Sequence, residues 1–248
     1  MTLKEYTKKR HFDVTSEPSG RDSRAEKPGG SLTYVVQKHR ATQLHYDFRL
    51  EWKGVLLSWA VPKGPSLDPS VKRLAMHVED HPIEYASFEG VIPESEYGGG
   101  TVMVWDQGTW IPEVPDVDAA LAKGDLKFSL FGKKLRGSWV LVRTRGYGKS
   151  AWQDSRADSG KSWLLIKHRD EYALTEDITA EKPRSAVSNK YLADIARAGA
   201  GNVEKAATGD PVRHPVRASA VKPVGRTKKP PAAKTPRASR PGARRASK

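Results

Sequence analysis

The sequence contains no cysteine. Disulfides and thiolate zinc sites are thereby excluded, and a reducing compartment fits. No stretch approaches the roughly 18 consecutive apolar residues of a membrane-spanning helix. The opening residues, MTLKEYTKKRHF, lack the apolar core of a secretory signal. These absences point to a cytoplasmic protein, nucleoid-associated if it binds DNA. Aromatic residues stop at Tyr191 and acidic residues stop at Asp210. From Pro211 to Lys248 there are twelve Lys or Arg, seven Pro, no Asp or Glu and no Phe, Trp or Tyr. Such a segment cannot bury enough apolar surface to offset the entropy of ordering it. It is expected to be a disordered basic tail.

The tail carries +12 of the formal net charge of +14, and the other 210 residues hold 31 basic and 29 acidic side chains. The basic character belongs to an appendage and not to the folded body. A Lys/Arg/Pro/Ala tail suits a polyanion, most simply nucleic acid bound through its phosphates. Each phosphate neutralised on duplex DNA contributes a salt slope of roughly −0.9, so a half-engaged tail with about six contacts gives a slope near about −5. Removing residues 211–248 should flatten the salt dependence of DNA binding by several units and leave the chemical step nearly untouched. Binding titrations at several salt concentrations measure this, and an unchanged slope would redirect the tail to a protein partner.

What the sequence does have is a series of short β-like runs. All seven Trp lie between Trp52 and Trp163. SLTYVVQ from Ser31 is β-branched and aromatic. LHYDFRLEW alternates, and Lys53-Gly54 turns it into VLLSWAV, which predicts a hairpin. RLAMHVEDH alternates again and is expected to be a strand. TVMVWDQGTW is expected to break at a turn over Asp106-Gln107-Gly108. VDAALAKGD predicts a short helix ending at Gly124. LKFSLFG, GSWVLVRT and SWLLIKH are three more strand runs, the last two separated by a long polar loop. Strands at this spacing predict an all-β barrel or sandwich. The organisation expected is an arm without regular structure over residues 1–30, a β domain over 31–175, a linker with a short helix over 176–210 and the tail over 211–248.

In the strand that begins at Leu44, one face carries Leu44, Tyr46, Phe48 and Leu50, an ordinary core face. The other carries His45, Asp47, Arg49 and Glu51, which is not an ordinary solvent face. His45 and Asp47 lie about 6.5–7 Å apart along the strand, near enough to share one ion. His39 precedes them and can turn its ring to the same point. Two imidazoles and a carboxylate suit a borderline divalent metal such as Mn, Fe, Co or Zn and leave open positions for substrate. Further on, His77, Glu79 and His81 would share a strand face, with Tyr85 after them. Arg49, Lys63 and Arg73 add cations of the kind that grips phosphate oxygens. A metal beside several cations is an arrangement for stabilising charge on a phosphoryl group in transfer.

The stretch QKHRATQLHYDFRLEWKGVLLSWAVPKGPSLDPSVKRLAMHVEDHPIEYASFEGVIPESEYGGGTVMVWDQGTW, with LRGSWVLVRT and WLLIKHRDEYAL after it, resembles the 3′-phosphoesterase module of the bacterial end-joining DNA ligase D family. The resemblance implies a compact β-barrel with a metal-centred groove, manganese as cofactor and the 3′ ends of DNA primers as substrate. The implied activity removes a 3′-phosphate and a 3′-terminal ribonucleoside in DNA repair by non-homologous end joining. It implies metal ligation by His39, His45 and Asp47, and phosphate contacts from Arg49 and His81, with His81 a proton donor to the leaving oxygen. Tyr85 would assist at the same phosphate. Lys63, Arg73 and Glu79 fall on supporting positions, and Arg10 and Glu17 on positions the family uses in its arm. Two departures stand out. The family arm reads Arg-Asp-Phe where this chain reads Arg10-His11-Phe12, which weakens the expectation for the ribonucleoside step. No Lys-x-Asp-Gly nucleophile motif of a fused ligase occurs, which points to a stand-alone form working with a ligase or end-binding protein in trans. The competing readings are a mononuclear iron oxygenase, with His81 or His168 as the distal ligand, and a non-catalytic DNA-end-binding protein.

Overall fold

A computed structural model describes residues 3–20, 31–144 and 160–211. Residues 21–30 of the arm, 145–159 of the long polar loop and 212–248 of the tail therefore lie outside the described residues. Nine strands follow in order: β1 (Leu32–Arg40), β2 (Leu44–Trp52), β3 (Val55–Val61), β4 (Arg73–His77), β5 (Gly90–Ile92), β6 (Gly100–Pro112), β7 (Asp125–Gly132), β8 (Arg136–Arg143) and β9 (Ser162–Lys167). Hydrogen bonding runs β1-β2-β3-β4-β9-β8-β7-β6, and β1 pairs again with β6. Eight antiparallel strands thus close into a barrel, with β5 added outside the ring on β6. The expected all-β barrel is what forms. Among the described residues no helix is long and apolar enough to cross a membrane.

Alternation decides what goes inside. Tyr34, Tyr46, Phe48, Leu50, Trp59, Trp105, Trp110, Phe128 and Trp139 fill the interior. Each aromatic side chain buries roughly 150–250 Å², so these residues dominate the core energetics. The β2–β3 connection is the Lys53-Gly54 pair, both at positive φ (48° and 77°), the two-residue turn whose twist matches the flanking strands. The helix α2 (Val117–Lys123) starts at Asp116, whose side chain accepts from the Ala119 N–H, and ends at Gly124 in the left-handed region.

Four expectations need correction. Asp106-Gln107-Gly108 is no turn, and β6 runs through it for 13 residues. The Asp106 carboxylate is buried and accepts from the Tyr34 hydroxyl (2.6 Å) and the Lys134 and Leu135 N–H groups (2.9 and 2.8 Å), so it holds the β7–β8 turn. Gly108 is needed because a Cβ there would collide with the Phe131 carbonyl of β7. Next, β4 ends at His77, and His81 pairs back as an isolated bridge to Leu56, so His77, Glu79 and His81 do not share a strand face. The arm is not structureless either: α1 (Lys4–Lys8) buries Tyr6 completely. Tyr6 joins Leu56, Tyr85, Phe88, Ile92 and Val102 in a second apolar cluster outside the barrel. Finally, residues 176–210 are not a linker. They form α3 (Ile178–Glu181), α4 (Leu192–Ala198) and α5 (Val203–Ala207), and Ile178, Leu192, Ile195, Ala196 and Ala206 join the main core.

Candidate active site

The site is built on the outer face of β1 and β2. His39 and His45 are direct cross-strand partners, and Gln37 faces Asp47. The six-residue step from His39 to His45 is therefore the span of a hairpin, with the turn at Ala41–Gln43. One ligand atom from each of His39, His45 and Asp47 lies within 4.8 Å of the others. His39 Nδ1 stands 3.6 Å from Asp47 Oδ2, and His45 Nε2 stands 3.5 Å from Asp47 Oδ1.

The far nitrogens of both rings are committed. His39 Nε2 donates to the Gly98 carbonyl at 2.8 Å, and His45 Nδ1 donates to the Gln43 carbonyl at 3.0 Å. This fixes both tautomers and turns His39 Nδ1 and His45 Nε2, as lone pairs, toward the carboxylate. Three acceptors converging on one point repel each other unless a cation or a proton lies between them. The donor set is two imidazoles and one carboxylate with committed outer hydrogen bonds, and it fits a divalent transition metal. Burial opposes charging His45, but the Asp47 carboxylate and the Gln43 carbonyl outweigh it and raise its pKa. Burial likewise opposes charge on Asp47, yet Arg49, His45 and His39 hold its carboxyl well below the usual range.

Arg49 is saturated. Its Nη2 donates to Asp47 Oδ2 (3.1 Å), its Nε to Gln37 Oε1 (2.8 Å) and its Nη1 to Ser58 Oγ (2.8 Å). Gln37 in turn donates to the Tyr85 and Phe88 carbonyls, both at 2.9 Å. Sequence reasoning missed Gln37 and Ser58. For Gln37 the signal was present, because it lies two residues before His39 on the same face of β1.

The arm closes over the other side. Arg10 Nη2 approaches His81 Nε2 at 3.2 Å, and Arg10 Nε donates to Glu17 Oε1 at 2.8 Å. Glu17 also accepts from the Tyr85 hydroxyl (2.9 Å) and from Thr15 Oγ1 (3.0 Å). Glu79 pairs with Lys9 at 3.1 Å and with Arg10 at 3.6 Å. Arg10, Glu17, Glu79, His81 and Tyr85 are thus brought into one network beside the hairpin. His11 is not part of it: 75 % exposed, it reaches Glu96 at 3.1 Å on the loop before β6. Arg73 is not tied into this network, since its Nε is buried with no hydrogen-bond partner among the described residues. Arg73 instead lends its charge to Asp177, beside α3.

His81 Nδ1 lies 2.9 Å from the Glu79 carbonyl, an acceptor, so that nitrogen carries the proton. Nε2 then accepts from Arg10, and the proton-donor role expected of His81 is not set up in this arrangement. Burial first, and the Arg49 and Arg10 charges next, hold the His81 pKa well below its ordinary value of 6.5. Burial and Lys161 lower His77 in the same direction. A histidine kept neutral in the fold takes up its proton more readily when unfolded. Its contribution to stability is thus present above pH 6.5 and falls as the pH drops toward the folded pKa, at up to about 1.4 kcal/mol per pH unit. Denaturant unfolding between pH 7 and 5 should show stability falling with acid, and His81→Asn should make the fall shallower. The same slope in both proteins would remove His81 from the cause.

Comparison with known proteins places this geometry. Residues 37–143 match the family model of the DNA Ligase D 3′-phosphoesterase domain. The chain is 50 % identical over 193 residues to the multifunctional non-homologous end joining protein LigD of Pseudomonas aeruginosa, covering 77 % of this chain and 22 % of that protein. It is 45 % identical over 146 residues to the Mycobacterium tuberculosis LigD, a multifunctional non-homologous end joining DNA repair protein (58 % and 18 %). It is 37 % identical over 197 residues to LigD of Mycolicibacterium smegmatis (77 % and 24 %). The chain spans about a fifth of the length of these relatives. The matched 37–143 segment contains the hairpin, Arg49, His81 and Tyr85, and leaves the arm outside. Residues 37–143 thus carry the match to the DNA Ligase D 3′-phosphoesterase domain, inside a chain that is similar to LigD over 77 % of its length.

Proposed function

We propose that the chain is a metal-dependent hydrolase of DNA 3′ ends, removing a 3′-phosphate or a 3′-terminal ribonucleoside in end joining. The observation that carries this reading is the convergence of His39 Nδ1, His45 Nε2 and Asp47 within 4.8 Å, directly against the buried guanidinium of Arg49. These three residues would hold the metal, with manganese the ion expected. A bound divalent cation supplies Lewis-acid polarisation of a phosphoryl oxygen and neutralises charge there. Arg49 holds the carboxylate in place and brings a second positive charge to the same opening. Arg10, anchored by Glu17, which the Tyr85 hydroxyl holds in turn, brings a third from the arm side and meets His81. Before His81 can give a proton from Nε2, Arg10 has to move away and the ring has to gain a proton there. The names of the relatives support DNA ends as the substrate.

The iron oxygenase reading does not need a distal histidine, because His39 already completes two imidazoles and one carboxylate. His168 lies elsewhere, with Nδ1 2.8 Å from Ser138 Oγ. Arg49, buried against Asp47, and Arg10, buried against His81, favour a phosphate substrate over that reading. Incubation of a 3′-phosphate primer–template with the protein and manganese should release inorganic phosphate without oxygen or a keto acid, and a chelator should stop it. Binding of the primer without phosphate release under any divalent ion would make the protein an end-binding factor instead.

A further inference from the structure

The loop before β6 carries Glu96, Tyr97 and Gly98, and the last two border the site. Gly98 gives its carbonyl to His39, and Glu96 accepts from His11 of the arm. The loop is tightly built. Gly98 has φ of +79°, and a Cβ at Gly99 would collide with the backbone of Pro93 and Glu94. On this rigid turn Tyr97 remains 53 % exposed. Lys9 Nζ lies 4.7 Å from the centre of its ring, and the Arg10 guanidinium 5.9 Å. The ring therefore lies between the metal-ligand side, through Gly98, and the Arg10–His81 side. The other large exposed aromatics among the described residues, Phe131 and Tyr172, have no such link.

We propose that Tyr97 is the stacking platform for the nucleobase at the 3′ end being processed. This rests on the reading of the chain as a DNA 3′-end phosphoesterase. A phosphate held by the arginines leaves the base of its own nucleotide at the rim of the same opening, where an exposed, rigidly mounted ring waits. Stacking is tolerant of sequence because every base has a π face, which suits an enzyme that must accept any terminal base. The neighbouring cations lie over the ring and steady it, and the side chain keeps more than half of its surface open beside them.

The test compares primers that end in a normal ribonucleotide with primers whose terminal nucleotide lacks its base, using the full chain with manganese. Tyr97→Ala should raise KM about tenfold or more on the normal end, with kcat within about twofold. Tyr97→Phe and Tyr97→Trp should behave like the unsubstituted protein, and Tyr97→Leu like Tyr97→Ala. On the abasic end all five proteins should be alike. An equal KM loss on both ends, or a fall in kcat with unchanged KM, would mean that Tyr97 only braces the loop and the proposal is wrong. A second measurement does not need turnover. A primer ending in 2-aminopurine should be quenched on binding, without metal, and Tyr97→Ala should lose the quench. Quenching without any phosphate release would sink the enzymatic reading and leave the stacking assignment standing. Absence of Tyr97-dependent quenching in a protein that does bind the primer would overturn the assignment.

Discussion

His45→Ala should lower metal affinity and phosphate release by more than about 100-fold and leave the barrel intact. The change removes one ligand atom, and even the outer partners of metal ligands are worth about 10–100-fold. The side chain of His45 is 22 % exposed and sits outside the core, so little packing is lost. Calorimetric titration with manganese, phosphate release and thermal unfolding measure the three parts. Near-normal activity in a folded His45→Ala protein would disprove the ligand set. Asp47→Ala should be worse in one respect. Sequence alone suggests that each ligand can be removed without cost to folding, but Asp47 also neutralises Arg49, whose side chain is 3 % exposed. Removing one partner of a buried pair costs about 3–5 kcal/mol. At a few degrees per kcal/mol, that lowers the melting temperature of a domain this size by roughly 10 °C.

Arg49→Lys should fail almost as completely. Arg49 satisfies three different acceptors with three nitrogens, and one ammonium on a flexible stem cannot reach Gln37, Ser58 and Asp47 together. Stranded buried acceptors cost about 1–3 kcal/mol each, so stability drops. Activity should drop by about 100-fold or more, on the scale of losing one preorganised donor to a developing charge. Denaturant unfolding and single-turnover phosphate release separate the two effects. Full activity in the lysine variant would remove Arg49 from the reaction and leave it as a support for Asp47.

Much of the site could be read before the fold was known. Alternation from Leu44 to Leu50 assigns both faces of β2, because a strand has period two and one face is apolar. The candidate ligands His45 and Asp47 follow from that period. His39 was harder. Its place opposite His45 depends on a hairpin turn at Ala41–Gln43 that has no Gly or Pro to mark it. Asp106-Gln107-Gly108 misled for a physical reason: the residues that make turns also serve for close strand approach and for capping a neighbouring loop. The docking of the arm was not legible, since it rests on the pairing of Arg10 with Glu17 and on one tyrosine, Tyr6, in a polar segment. The packing of 176–210 was missed because its apolar residues are sparse: Ile178, Leu192, Ile195 and two alanines join the core, with Val203 packed against it.

Ring closure has a consequence for the gene. β1 is bonded to β2 on one side and to β6 on the other, and β2 is bonded in turn to β3. A strand in a closed ring cannot slide past one neighbour without sliding past the other. Loss of a single codon between Arg40 and Leu44 could not be absorbed by moving β1 or β2, since a one-residue slip would turn His39 or His45 to the opposite face. It would have to be taken up in the three-residue turn itself. The turn's only contribution to the metal ligands is the Gln43 carbonyl, which every amino acid possesses. Here the number of codons is constrained while their spelling is almost free.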